Sequence, residues 1–260
     1  MTEAKRGSPT TTLLVTNVAI SERATSKTTA TASTAATPLS QTFSSTDITF
    51  TTPCGLITAG TITIPASPEK HPAVLFIAGS GPTDRNGDSA LLPGKIGTLR
   101  FLAESVATNA VTLRFDKLGV GKSPVPADPT AVTFDDFVAQ ATAARDWLSQ
   151  HPSVDPARVV IAGHSEGGLI ALMLATNTGS PTTKLALFSP PGGSYLWVIR
   201  PEDRALASVF NPHTLKFLAS ADHYDPVALA GKLNARTLLT CGGGPATEYV
   251  STLSVASYWL

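Results

Sequence analysis

The segment Arg158 to Leu169, with the sequence RVVIAGHSEGGL, most constrains what this chain can fold into. Val159 to Ala162 are continuously apolar and rich in β-branched residues, as expected of a parallel strand that is buried on both faces. Leu169 to Ala175 are apolar on nearly every side, which is typical of a buried helix. Small residues separate the two runs, so the segment predicts a strand, a sharp turn and a helix.

The turn carries the pattern G-x-S-x-G, formed by Gly163, Ser165 and Gly167. Glycines two residues on either side of a serine let neighbouring chain pass closely, and the tight turn raises the serine as a nucleophile. The backbone N–H of Glu166 then points to where an oxyanion would form. The pattern predicts Ser165 as nucleophile and Glu166 as oxyanion donor. The alternative, an incidental serine in a glycine-rich turn, is disfavoured by the flanking strand and helix.

Three segments together resemble the α/β-hydrolase family. G-H-S-E-G-G after a buried strand is similar to its nucleophile elbow. Residues 77–87, IAGSGPTDRNG, resemble the oxyanion loop of bacterial serine esterases related to dienelactone hydrolases and acyl-CoA thioesterases. Residues 114–123, RFDKLGVGKS, resemble the turn after the next strand, with Leu118 where the family usually has arginine. The likeness extends over about residues 46–242 and implies an α/β fold, with a mostly parallel sheet flanked by helices.

Composition divides the chain into a tail and one domain. Residues 1–45, rich in Ser, Thr and Ala, are predicted to be a disordered tail, because they contain too few large apolar side chains to offset the entropy of ordering. The remaining residues, 46–260, form the α/β-hydrolase domain, and 42% hydrophobic content in the chain can fill its core. Two antiparallel strands are expected near its start, and Thr133 with Asp136 predicts the capping box of a helix that covers the sheet.

The charge balance narrows the classes of partner. Lys plus Arg equals Asp plus Glu, 19 against 19, so no nucleic-acid partner is expected and a neutral small-molecule ester or thioester fits better. No apolar run reaches the ~20 residues of a membrane span. No metal or organic cofactor is implied, and the two cysteines make no disulfide framework. The apolar stretch from Leu13 to Ile20 resembles a signal peptide only weakly, because Thr16 and Asn17 interrupt it. A cytoplasmic protein is therefore favoured, and export stays open. Oligomeric state stays unknown.

The glycine-rich loop at residues 78–87 is expected, from the resemblance, to supply the second oxyanion donor. The amide of Ser80 is the first candidate and that of Gly81 the next. Asp84 and Arg85 either shape the mouth of a pocket or form a plain surface ion pair.

Nucleotide binding is the competing interpretation of two glycine-rich turns. Gly79-x-Gly81 begins like a dinucleotide fingerprint, but its third glycine would fall at Asp84. Gly121-Lys122-Ser123 ends like a phosphate-binding loop, but its first glycine would fall at Asp116, whose charge repels phosphate. Both departures disfavour a nucleotide site.

The resemblance fails at the C-terminus, where the family's chain order requires an acid and then a histidine after the serine. Pro245 stands where related sequences have an aspartate. Glu248 is the only later acidic residue, and no histidine follows it. Only 12 residues remain after Glu248, so the terminus at 243–260 is atypical and an incomplete or frame-altered C-terminal end is predicted.

The five histidines give no obvious base. His71 and His151 precede prolines and are expected on the surface. His164 lies inside the elbow, where its side chain is expected to point away from Ser165 and pack beneath it. His213 and His223 fall in a cap-like insertion at 194–232 and are weak candidates for the base, with solvated positions the more frequent outcome.

Two functions remain open from the sequence. The first is a serine hydrolase of carboxylic esters or thioesters that forms an acyl-enzyme on Ser165, with the amides of Ser80 and Glu166 as oxyanion hole. The second is a non-catalytic or truncated member of the fold with little activity that binds a small apolar ligand. A peptidase or transferase on the same scaffold is also open, because a fold does not fix the substrate.

Overall fold

A seven-stranded sheet organises the chain, in the strand order β1-β2-β4-β3-β5-β6-β7. The computed structural model describes residues 42–90, 93–177, 184–191, 220–221, 223–233, 235 and 237–240. The strands are β1 (Phe43–Thr51), β2 (Ile57–Pro65), β3 (His71–Ile77), β4 (Val111–Phe115), β5 (Val154–His164), β6 (Lys184–Phe188) and β7 (Thr237–Thr240). β2 runs antiparallel to both of its neighbours, and every other pair is parallel. The predicted mostly parallel α/β sheet is confirmed.

Helices cover both faces of this sheet. They are α1 (Thr98–Val106), α2 (Phe134–Ser149), α3 (Glu166–Asn177) and α4 (Pro226–Ala230), with a short 3₁₀ helix at Pro129–Ala131. The predicted capping box of α2 is present, with Thr133 and Asp136 each bonding the other's backbone. The first half of α3 is buried on every side, as its apolar sequence predicts; its residues from Leu169 to Leu174 are at most 3% exposed.

The antiparallel hairpin β1–β2 leads into the domain, as predicted. Its register runs unbroken from Phe43↔Pro65 to Thr51↔Ile57. β1 therefore begins inside the segment that composition assigns to the tail. Composition misses this strand because most of its side chains are exposed and few are apolar. β1 is held mainly by its pairing with β2. Residues 1–41 lie outside the described residues.

The core lies between the central strands and the helices α2 and α3. Leu75 of β3, Leu113 of β4 and Ile161 of β5 are fully buried and share one cluster with Phe134 and Leu148 of α2. Burying such a side chain stabilises the fold by about 1.5–3 kcal/mol. These buried side chains thus anchor the three central strands, β3, β4 and β5, in the core.

Several predicted features fall on residues that the structure does not describe. These are most of the cap-like insertion at 194–232 together with His213, and the terminus at 243–260 together with Glu248. Of the insertion, residues 220–221 and 223–232 are described, and they include α4. Within the described ranges, no helix combines the length and apolarity needed to cross a bilayer.

Candidate active site

Ser165 occupies the tip of a sharp turn between β5 and α3. Its φ of 51° lies in the left-handed region, which is strained for a serine. A Cβ at Gly163 would collide with the carbonyl of Gly167, and a Cβ at Gly167 would collide with the carbonyl of Ile77. Only glycine therefore fits on either side of the serine. The strand, turn and helix predicted from G-x-S-x-G are present, and Ser165 is half-buried.

The loop that follows β3 crosses this turn at close range. A Cβ at Gly79 would lie 3.3 Å from the Cβ of Ser165 and 3.0 Å from Nδ1 of His164. The next residue, Ser80, is exposed, and its carbonyl accepts a hydrogen bond from Thr83 Oγ1 at 2.9 Å. Its N–H donates no hydrogen bond to any residue in the described part of the chain.

A buried lysine lies behind the same loop. Lys117 follows β4, and its Nζ donates hydrogen bonds to the carbonyl of Gly79 and, at 2.9 Å, to Oε1 of Glu166. The side chains of Lys117 and Glu166 are each only 2% exposed. The lysine Nζ also lies 5.3 Å from the ring centroid of Phe137, within the range of a cation–π interaction. The lysine joins the loop after β3 to the first residue of α3.

Comparison with known proteins agrees with this arrangement. The model of the α/β hydrolase family matches residues 74–256, a span that includes the loop at Gly79, the lysine and the serine turn. The chain belongs to the α/β-hydrolase family.

Two curated proteins are similar to this chain in sequence. Two uncharacterised proteins of Mycobacterium tuberculosis, from two strains, are each 30% identical to this α/β hydrolase over 180 residues. That alignment covers 68% of this chain and 54% of each relative, so the chain spans about half the length of the curated relatives it matches.

Among solved structures, an acetyl xylan esterase from Paenibacillus sp. R4 aligns with a TM-score of 0.56 at 14% identity, covering 85% of both chains. A dipeptidyl peptidase 4 from Porphyromonas gingivalis aligns with the same TM-score of 0.56 at 21% identity, covering 82% of this chain and 30% of its own. At such low identity the likeness shows the fold alone. The two neighbours, an esterase and a peptidase by name, differ from each other in activity.

The carboxylate of Asp116 fixes the loop after β3 in this α/β hydrolase. It accepts hydrogen bonds from the amide of Arg85 at 2.8 Å, from Nη2 of Arg85 at 2.7 Å and from the amide of Lys122 at 2.8 Å. Arg85 is only 6% exposed, so the expectation of a surface ion pair with Asp84 is wrong. Asp84 instead accepts the amides of Asn86 and Asp88, as a turn-forming aspartate does.

The carboxylate of Asp116 lies against the backbone of the turn at residues 116–123. A Cβ at Gly121 would collide with this carboxylate, whose negative charge repels phosphate. This close contact is a further reason to disfavour the nucleotide interpretation of Gly121-Lys122-Ser123.

Three histidines differ from their predicted surroundings. His71 is buried because it is the first residue of β3, and its Nε2 lies 3.1 Å from Oγ of Ser67. His151 is half-buried, with its ring 5.7 Å from that of Trp147, and burial lowers its pKa below 6.5. The predicted surface positions of both residues are therefore wrong. His164 does not pack beneath Ser165 either: it is exposed and flanks Gly79, and partial burial lowers its pKa.

His223 lies on an exposed turn before α4. Its neighbour Tyr224 packs 5.9 Å from the ring of Phe134 and donates a hydrogen bond to Asp135, which raises the pKa of Tyr224 to about 12. These contacts place Tyr224, the residue after His223, against the amino end of α2. In the described part of the chain, no hydrogen bond joins Ser165 to a histidine.

The roles of Lys117 and Asp116 were not foreseen from the sequence. For Lys117 one signal existed: it closely follows a strand rich in large side chains, and Glu166 opens a helix that is otherwise apolar, so two opposite charges each lie beside a buried run. Buried charges are usually paired, and that rule would have joined these two. No such signal identified the role of Asp116.

Proposed function

We propose that this α/β hydrolase cleaves carboxylic esters or thioesters through an acyl-enzyme formed on Ser165. The observation that carries the proposal is the left-handed backbone of Ser165 at the tip of a glycine-walled turn. Holding a non-glycine residue there costs about 1–2 kcal/mol, and such strain clusters at functional sites. A glycine at this position would carry no such strain. A serine there despite the strain indicates that its side chain has a function.

The proposed reaction uses the groups that surround Ser165. Oγ of Ser165 attacks the carbonyl carbon, and the carbonyl oxygen becomes an oxyanion that the amides of Ser80 and Glu166 stabilise. The C–O or C–S bond to the leaving group then breaks, and the proton from Oγ ends on that leaving group through a base. Water releases the acyl group by the same steps.

Covalent labelling tests the nucleophile. A fluorophosphonate probe should label the wild-type chain, and Ser165→Ala should abolish the labelling. Ser189→Ala is the matched control, because Ser189 follows β6 and is also left-handed, with φ 47°. We expect it to label like wild type when the adduct is located by peptide mass spectrometry. Labelling that survives Ser165→Ala unchanged would remove Ser165 as the nucleophile.

A second candidate function is ligand binding without turnover, and the lack of a histidine bonded to Ser165 in the described residues favours it. Serine hydrolases without a complete triad keep only ~10³–10⁴-fold rate enhancement over water. Hydrolysis of p-nitrophenyl acetate and butyrate from pH 5 to 9 separates the two functions. Turnover near ~10 s⁻¹ that is lost in His164→Gln, His213→Ala or His223→Ala would identify the base and exclude the non-catalytic alternative.

A further inference from the structure

We infer that Lys117 is a positioning residue for the oxyanion hole: it aims the Ser80 amide at the substrate oxygen, and the Glu166 side chain holds it in place. The inference rests on the proposed function, because it assigns a role within the same site. It concerns the Lys117–Glu166 ion pair, which the serine mechanism itself does not use.

The first step is the geometry of one peptide group. Lys117 Nζ bonds the carbonyl oxygen of Gly79, and the described peptide bonds are all trans. In a planar trans peptide the C=O and the following N–H point in opposite directions. Fixing the Gly79 carbonyl toward the buried lysine therefore directs the Ser80 N–H away from the lysine. Ser80 is exposed, and Gly79 lies against Ser165, since a Cβ at Gly79 would be 3.3 Å from the Cβ of Ser165.

The second step is the connection to the other donor. Glu166 contributes its carboxylate to Lys117 at 2.9 Å, while its backbone opens α3 directly after Ser165. One lysine thus contacts both residues whose placement sets the two donors, the loop after β3 and the start of α3. Their separation is kept by a side chain from a third segment, the turn after β4.

The third step is energetic. Burying a lysine and a glutamate costs desolvation that their attraction often fails to exceed, and apolar replacements of similar volume are frequently as stable or more stable. Stability alone therefore does not account for this pair. A preorganised cation behind the peptide does account for it, because it polarises the Gly79–Ser80 amide and neutralises a carboxylate beside the developing oxyanion.

The test removes both charges together. Lys117→Met alone would remove the lysine partner of the buried Glu166 carboxylate and could unfold the chain, so the variant is Lys117→Met/Glu166→Gln. Removing an oxyanion donor costs ~10²–10³-fold in kcat, and a misaimed donor should cost roughly 10–100-fold. We expect that loss in kcat for p-nitrophenyl acetate and in the fluorophosphonate labelling rate. KM should change less than about threefold, because the lost interaction forms in the transition state.

Leu148→Ala is the matched control, since it opens a cavity in the core near the C-terminal end of α2, away from the serine turn. It should lower stability and leave both rates near wild type. A folded double variant with wild-type kcat and labelling rate would overturn the inference.

A readout that needs no activity separates this inference from the proposed function. The carbonyl carbon of Gly79, observed by NMR in isotopically labelled protein, should move upfield in the double variant when its charge-assisted hydrogen bond is lost. An unlabelled Ser165 in wild type would count against the proposed function, and the Gly79 signal would then decide the role of Lys117 alone. An unchanged Gly79 signal would show that Lys117 does not fix the peptide.

Discussion

Two serines in the described part of the chain hold backbone conformations that favour glycine. Ser165 follows β5 with φ 51°, and Ser189 follows β6 with φ 47°. Each amide is held from the neighbouring strand, that of Ser165 by the carbonyl of Phe188 at 2.9 Å and that of Ser189 by the carbonyl of Thr240 at 2.7 Å. The strands thus impose these turns and can sustain the strain at both residues.

Substituting Ser165 with glycine should therefore stabilise the chain relative to alanine. Alanine keeps the steric conflict of a Cβ in the left-handed region, whereas glycine removes it, so we expect Ser165→Gly to exceed Ser165→Ala by about 1 kcal/mol in free energy of unfolding. Urea titrations followed by circular dichroism measure the difference. Equal stabilities would mean that the backbone at this turn relaxes freely and that the serine is not strained.

At the scale of elements, the turn at residues 116–123 holds the site together. Besides Lys117, which contacts the loop after β3 and the start of α3, this turn contains Asp116, which bonds Arg85 of the same loop, and Ser123, which bonds the β1–β2 hairpin. Oγ of Ser123 accepts the amide of Ala59 at 3.0 Å and donates to the carbonyl of Asp116 at 2.8 Å. One short turn therefore contacts the first hairpin, the loop after β3 and the start of α3.

Breaking its central ion pair should destabilise the whole domain. Asp116→Asn leaves the buried guanidinium of Arg85 with only its longer ion pair to the exposed Asp47, at 3.4 Å, and we expect a loss of about 3 kcal/mol. Lys122→Met is the control from the same turn, because its ion pair with Asp47 is exposed and should contribute at most about 1 kcal/mol. The comparison uses urea unfolding of both variants, and similar losses in the two would contradict the assigned role of Asp116.

How far the sequence predicts the structure depends on how local each signal is. The strand, turn and helix around Ser165 and the capping box of α2 follow from neighbouring residues, and both are present. The partners of Lys117 lie 38 and 49 residues away along the chain, so no spacing of neighbouring residues gives them, and only the general rule that buried charges are paired points to Glu166. The surface position predicted for His71 was wrong for the same reason. The following proline suggested a loop, but pairing of β3 within the sheet buries the residue.

At the scale of the whole molecule, histidine burial links stability to pH. Burial lowers the pKa of His151 and of His164 below 6.5, so the unfolded chain binds protons more readily than the folded one in that range. Their contribution to stability is present above pH 6.5 and is lost as the pH falls toward the folded pKa values. The lowered pKa of Asp47, held down first by its hydrogen bond from Lys122, acts only near and below 3.8.

We therefore expect the urea midpoint to fall between pH 7.5 and pH 5.5. His151→Gln should make that fall shallower, because the substituted side chain takes up no proton. The amide of Ser153 also bonds Nδ1 of the neutral His151 ring at 3.3 Å, a bond that protonation removes. A midpoint that stays constant over this range, or a variant that falls as steeply as wild type, would contradict the link.

The crossed strand order also sets when the site can exist during synthesis. β3 pairs in parallel with β4 on one side and with β5 on the other, so the central strands meet only across long stretches of chain. The hairpin β1–β2, in contrast, joins neighbouring strands and can form as soon as Pro65 has been made. A nascent chain that stops before Glu166 has the loop at Gly79 and the lysine but not the helix start that fixes the lysine. The Lys117–Glu166 ion pair is thus a product of late, non-local folding, and every shorter nascent chain lacks it.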